Sequence, residues 1–317
     1  MKDLRNYEYE FLVKLISLFL GFFILVMAIG MWLARYRLIY PVNTMAASAS
    51  DFAYNTEEAR ENNVSRLKNL NIHTGDEIEN LYKAMVKTTQ DSMDYFSALQ
   101  SKTQKISELQ SGLIMVLADI VENRDESTGD HIKKTAAYVN IIMQKMREDC
   151  CHLDILTDEY ISDTVLSAPL HDIGKIKIPD AILNKPGKLT DEEFEIMKTH
   201  TTAGEKIIDQ TIATMPDADY LLQAKQLAGL HHERWDGRGY PYGLKGKEIP
   251  LCARIMAVAD VFDALVSKRY YKDAFSLEKA FSIIEEESGT HFDPDVVNAF
   301  LSSRPQVEKV AKEFEHC

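Results

Sequence analysis

The chain has 317 residues, 49 acidic and 36 basic, for a formal net charge of −13. That balance excludes a protein built to grip a nucleic-acid groove, which needs a surplus of Lys and Arg facing phosphate. The deficit is uneven: residues 1–111 hold 12 basic and 13 acidic groups, residues 112–317 hold 24 and 36. An acidic C-terminal part that handled phosphate would have to gather cations locally. The four cysteines (Cys150, Cys151, Cys252 and Cys317) form no C-x-x-C or other paired spacing, which points to a reducing compartment.

After a short tail (1–10), the first element is a predicted transmembrane helix over 11–34. Leu15 to Ala34 is a run of 20 uncharged residues. At ~1.5 Å per residue it spans about 30 Å, the thickness of a bilayer core. A signal-peptide core is shorter, about 7–15 residues, and is followed by a small-residue cleavage site; none follows here. Trp32 and Tyr36 suit an interface, and Arg35 and Arg37 follow the span with no acid before Asp51. The positive-inside rule then places the long C-terminal part in the cytoplasm, as a single-pass protein of the inner membrane. About ten residues before the span would leave no room for an extracellular sensor domain.

Pro41 opens a helical stretch to about Tyr54, a polar connector follows, and GDEIENL (Gly75–Leu81) opens a long helix. This order resembles a HAMP domain, the two-helix relay of bacterial sensors, over 35–95. From Ile78 a 3-4 spacing selects Ile78, Leu81, Met85, Thr88, Ser92, Tyr95, Leu99, Lys102, Ile106, Leu109 and Leu113. Eight of the eleven are apolar, a heptad seam that predicts a coiled-coil linker (96–112) and a parallel homodimer.

The remainder reads as helix after helix, with Pro and Gly at joints such as 184–188 and 237–246 and no useful period-2 run, so the predicted class is all-α. Five of nine histidines fall in acid-accompanied motifs: His131 in RDESTGDH, His171 with Asp172 in HDIGK, His200 in KTHTTAGE, and His231 and His232 in HHERWDGRGYP. Asp260 lies in the apolar segment RIMAVADVFDAL. Asp172 and Asp260, both read as lying in apolar helices, would be costly to bury unpaired, and a divalent metal removes that cost. Imidazole and carboxylate without thiolate suit iron, manganese, zinc or nickel. Adjacent pairs such as His171–Asp172 and His231–His232 suit two ions, with Asp172 able to bridge them.

The order H…HD…H…HH…D with Gly239–Tyr240–Pro241 after the double histidine resembles the HD-GYP family of the HD phosphohydrolase superfamily. The likeness runs from about Leu113 to Leu301 and includes HFDP (His291–Pro294); the catalytic domain is placed at 113–305, with a tail at 306–317. The resemblance implies a helical, metal-dependent phosphodiesterase that hydrolyses cyclic di-GMP to pGpG or GMP. It implies that His131, His171, Asp172 and Asp260 hold one metal and that Asp172, His200, His231 and His232 hold a second. A bridging hydroxide would attack phosphorus. Asp172 and Lys175 carry catalysis in this reading, with Lys175, one helical turn after His171, on the scissile phosphate. Arg269 and Lys272 match a basic pair that contacts substrate phosphates in relatives. Trp235 and Tyr240 could stack on guanine or simply pack their loop.

Two departures qualify the resemblance. Ser127 stands where some relatives carry a Glu for a third metal, so two metals are expected. Tyr270 stands where relatives usually carry Pro, which makes the loop bearing Arg269 and Lys272 less certain in shape. Asp263 is expected to make a structural hydrogen bond, His291 to be structural, and His73, His152 and His316 to lie at the surface. The alternatives are a non-catalytic relay that binds the dinucleotide, and a phosphodiesterase for hybrid cyclic GMP–AMP. On either catalytic reading, the acidic C-terminal part would capture its anion through metal.

Overall fold

A computed structural model describes residues 2–50, 52, 57–124, 130–215, 218–267 and 274–314. The chain divides into two compact units, residues 1–106 and 107–317. Among the described residues every regular element is a helix, and one isolated bridge joins Ser288 to Phe292. The all-α expectation holds.

In the first unit, α1 (Lys2–Ala34) passes through a π-helical turn (Arg35–Ile39) into α2 (Tyr40–Ser50). Its apolar residues are solvent-exposed along the predicted span, and by length and composition this one helix could cross a membrane. The segment read as a polar connector contains a helix, α3 (Glu57–Lys68). Arg66 and Lys68 at its end suit the helix dipole. Its Val64 and Leu67 are buried, which a polar average over the segment conceals.

The predicted GDEIENL helix start is met by α4 (Glu77–Glu122). The Asp76 carboxylate accepts the backbone N–H of Ile78 at 3.0 Å, which satisfies an orphan donor of the first turn, and Glu79 reaches back to accept that of Gly75 at 2.9 Å, just before the helix. Ile78 and Met85 pack within the chain, against Met45, Ile72 and Tyr82. The predicted seam is therefore consumed locally at its start, whereas Leu81, Tyr95, Leu99, Ile106, Leu109 and Leu113 are exposed.

The second unit takes the end of α4, then α5 (His131–Glu148), α6 (Asp158–Ser167), α7 (Asp180–Leu183), α8 (Asp191–Ile212), α9 (Tyr220–Leu230), α10 (Leu251–Val266), α11 (Leu277–Glu286), α12 (Pro294–Ser302) and α13 (Arg304–Glu313). α10 is buried nearly all round, as its continuous apolar sequence requires. Tyr138, Ile142 and Met146 of α5 meet Ile255, Phe262 and Phe300 in the main core. A second cluster joins Ile114 of α4 to Leu170, Ile208, Leu221 and Ala224.

Glycine is not confined to joints. Gly204 and Gly229 lie inside α8 and α9, where a Cβ on Gly204 would press on Ala228 at 3.1 Å; small residues let these two helices close together. HDIGK is not an α-helical turn either. His171 and Asp172 lie between two 3₁₀ turns, Ala168–Leu170 and Ile173–Lys177, and the second turn takes in Ile173, Gly174 and Lys175. The reason is Gly174, where a Cβ would sit 1.8 Å from the carbonyl oxygen of His200 and 2.5 Å from the nitrogen of Gly204. The segment lies directly on the backbone of α8, which brings Asp172 to His200.

Candidate metal centre

Five histidines from four chain segments converge, and each of four has its ring fixed from behind. His171 Nδ1 lies 2.9 Å from the Ala168 carbonyl, His200 Nδ1 2.7 Å from that of Met197, and His231 Nδ1 2.8 Å from that of Leu227. His131 Nδ1 lies 2.7 Å from Asp263 Oδ2. Each Nδ1–H donates outward, which leaves the Nε2 lone pair for the interior. His232 packs beside His231, with ring centroids 4.1 Å apart.

The interior holds two groups of donor atoms, each within 4.8 Å of one another: His131, His171 and Asp260, and His200, His231 and His232. Asp172 stands between them. Its Oδ2 is 3.4 Å from His171 Nε2, and its Oδ1 is 3.4 Å from His200 Nε2 and 3.7 Å from His231 Nε2. His131 Nε2 and His171 Nε2 lie 3.4 and 4.0 Å from Asp260 Oδ1. His171 Nε2 and Asp172 Oδ1 are buried without a hydrogen-bond partner among the described residues. Orphaned polar atoms of this kind, in a set of imidazoles and carboxylates, fit divalent cations.

The electrostatics agree. Burial opposes charge on Asp172, but Lys175 and His171 outweigh it and hold the carboxyl well below its usual range. Burial likewise opposes charge on Asp260, which His171 and His131 hold down. Burial opposes a proton on His171 too, yet the adjacent Asp172 raises its pKa to about 9. Asp172 and Asp260 are thus held as carboxylates with positive charge beside them. In the other group burial dominates: it lowers His200, brings His232 down to about 4, and, with His232 beside it, drives His231 far down. Neutral imidazoles are the form that binds metal.

Lys175 Nζ lies 2.8 Å from Asp172 Oδ2. The two are three residues apart in a tight turn, and that turn, not the α-helical turn expected from His171, sets its direction. Tyr240 packs on His232 with centroids 4.8 Å apart, and its backbone N–H donates to the His232 carbonyl. Burial raises the pKa of its hydroxyl, which stays protonated. Trp235 is on the same loop but lies beside the guanidinium of Arg254, itself bonded to buried Asp293. Arg269, Lys272, Tyr270 and Ser127 lie outside the described residues, as does His316. His291 bonds Glu287 and stacks on Phe292. His73 is exposed, but His152 is not a free surface residue: its ring is half-buried, 3.8 Å from Asp295.

Sequence reading passed over four residues near the centre, Lys134, Glu233, Phe194 and Lys198. Buried Lys134 reaches Ser267 Oγ at 3.0 Å and Asp263 Oδ1 at 3.4 Å, which neutralises the carboxylate behind His131. Buried Glu233 accepts the backbone N–H groups of Tyr242, Gly243 and Leu244 at 2.7, 3.1 and 3.0 Å, folding the glycine loop onto HHER. Phe194 meets Tyr240 edge-on at 6.3 Å, with Lys198 Nζ over both rings.

A sequence profile described as an HD domain matches residues 115–296, and the chain belongs to that family. Its HD and GYP segments are those of the HD-GYP branch. It is 42% identical over 246 residues to a cyclic di-GMP phosphodiesterase of Vibrio cholerae, covering 78% of this chain and 49% of that one. It is 43% identical over 198 residues to a cyclic di-GMP phosphodiesterase of Thermotoga maritima, covering 62% and 50%. It is 39% identical over 196 residues to the 3′3′-cGAMP-specific phosphodiesterase 2 of Vibrio cholerae, covering 62% and 35%. The chain spans about half the length of the curated relatives first matched.

Proposed function

We propose that the chain is a membrane-anchored, two-metal phosphodiesterase for cyclic di-GMP. The observation that carries this is Asp172, whose two oxygens face different histidine groups. His131, His171, Asp172 and Asp260 would hold one divalent ion, and Asp172, His200, His231 and His232 the other. Iron or manganese suits this donor set best, with zinc or nickel possible on the same chemistry. When bound, two such ions supply Lewis-acid charge and a water of lowered pKa.

The chain's own residues do the rest. The outward Nδ1–H bonds keep the imidazoles oriented, and Lys175 places a positive charge beside Asp172 where a scissile phosphate would lie. Tyr240, fixed on His232, closes one side of the centre, and Glu233 holds its loop. Hydrolysis adds water across one 3′–5′ phosphodiester: an O–P bond forms, the P–O3′ bond breaks, and the 3′-oxygen takes a proton. The product is pGpG, and a second cleavage gives GMP. Arg269 and Lys272 would bind the phosphates, with Trp235 and Tyr240 beside the bases.

The apolar helix would anchor the protein in the inner membrane with the catalytic unit in the cytoplasm. The HAMP-like segment and the stripe on α4 would pair two copies in parallel. Purified protein loaded with manganese or iron should linearise cyclic di-GMP, and a chelator should stop it. His171→Ala with Asp172→Ala should abolish turnover; turnover surviving that pair of changes would refute the assignment. A second reading, hybrid cyclic GMP–AMP as substrate, is favoured by the 39% identity to a relative specific for that messenger. Competition between the two dinucleotides decides between them.

A further inference from the structure

We propose that Arg124 is a positioning residue, which fixes the turn carrying Asp172 and Lys175 to the end of α4. The proposal rests on the reading of that turn as catalytic. Arg124 is the second residue after α4. Its Nη1 donates to the carbonyl oxygens of Lys175 and Ile176 at 3.3 and 3.0 Å, and its Nη2 donates to that of Ile178 at 3.3 Å and to Asp180 Oδ1 at 2.6 Å. The Ile176 carbonyl lies at the C-terminal end of the 3₁₀ turn Ile173–Lys177, where a helix leaves acceptors without internal partners; the Lys175 carbonyl also accepts the Ile178 N–H at 3.0 Å, and the Ile178 carbonyl lies just past the turn. A guanidinium suits the task because its planar fork serves several acceptors at once, while an ammonium is a point donor.

The turn is held at three places. Gly174 lies on the backbone of α8. Leu170, the residue before His171, shares an apolar cluster with Ile114 of α4. Arg124 takes the far end. Two of the three anchors therefore come from α4 and the segment leaving it, and both flank the segment that presents His171, Asp172 and Lys175. Lys175 is doubly involved: its carbonyl is held by Arg124 while its ammonium lies 2.8 Å from Asp172. A shift of the clamp displaces that ammonium, and displacements of about 1 Å at a reacting centre lower rates by about 100-fold.

The test uses the full chain in detergent, loaded with manganese, as parent, Arg124→Ala and Arg124→Lys. Each is assayed on cyclic di-GMP and on bis(p-nitrophenyl) phosphate, a diester with no base to recognise. Metal content and hydrogen exchange are measured on the same samples. Arg124→Ala should lower kcat by about 10–100-fold on both substrates, with KM changed less than about threefold. Metal content should stay at the parent value, and exchange should quicken at the amides of residues 173–178 while α5 and α10 stay protected. Arg124→Lys should recover part of kcat. Unchanged kcat, unchanged exchange at 173–178, or exchange quickened equally across α5 and α10 would each overturn the proposal. Cleavage of the generic diester but not of cyclic di-GMP by the parent would defeat the proposed substrate and leave the clamp testable. Should the parent cleave neither, hydrogen exchange at 173–178 alone decides.

Discussion

His131 and Asp263, 132 residues apart in the chain, share a buried 2.7 Å hydrogen bond that aims the opposite ring nitrogen at Asp260. Lys134 neutralises the same carboxylate from its other oxygen. Partners behind a metal-binding histidine set its tautomer and basicity, and their loss costs about 10–100-fold in metal affinity. Asp263→Asn should therefore weaken one of the two ions by about that factor and leave the other unchanged. Metal content after dialysis against graded free manganese checks this; two ions retained at parent affinity would contradict it.

Gly174 gives a steric prediction. A methyl group there would lie 1.8 Å from the His200 carbonyl oxygen, and the obstacle is backbone that cannot swing aside. Gly174→Ala should destabilise the second unit by about 1–3 kcal/mol, as overpacking does. It should also separate Asp172 from His200. Thermal unfolding reads the first effect and metal content the second. A variant with parental midpoint and two ions would show that the segment has room to spare.

Asp263 makes the structural hydrogen bond that the sequence predicts, whereas the contact of Gly174 with α8 carries no signal in the sequence. His131, His171, Asp172, His200, His231, His232 and Asp260 could be picked out because their motifs are local and chemically distinctive, and the structure brings all seven together. The all-helical class followed from periodicity. Other supporting residues were not visible, because their partners are remote: Arg124 bonds Ile176 across 52 positions and Lys134 bonds Ser267 across 133. Nothing beside either residue in the chain announces its partner. HDIGK was misread as a helical turn because its shape is decided by contact with α8, not by its own propensities. α3 was missed because two buried apolar residues in a charged dozen give little amphipathic signal.

Cys252 yields a pH prediction. It is fully buried, and burial raises its thiol pKa to about 11 against an ordinary value of 9.0. The folded state thus holds its proton more tightly than the unfolded state, so this contribution to stability is complete below pH 9. It is lost as pH rises from about 9 through about 11. Peptide mapping after brief alkylation of native protein at pH 8.5 should find exposed Cys150 modified and Cys252 untouched. In denaturant Cys252 should react. Rapid native modification of Cys252 would show that its site opens readily to solvent.

The stripe on α4 makes the last prediction. Ile106, Leu109 and Leu113 are 65%, 67% and 65% exposed, at the 3-4 spacing of a coiled-coil seam. Burying apolar surface stabilises by about 25 cal/mol per Å², so a helix carrying such a row gains most by pairing with its own copy in register. Charges at the seam reverse that gain, because like charges would face each other across the pair. Ile106→Lys with Leu109→Lys should convert a dimer to a monomer in detergent, read as a halved protein mass by light scattering. Because these side chains are exposed within one chain, the thermal midpoint of the second unit should hold. Unchanged mass in the double variant would remove the stripe as the pairing surface, and a monomeric parent would remove the dimer itself.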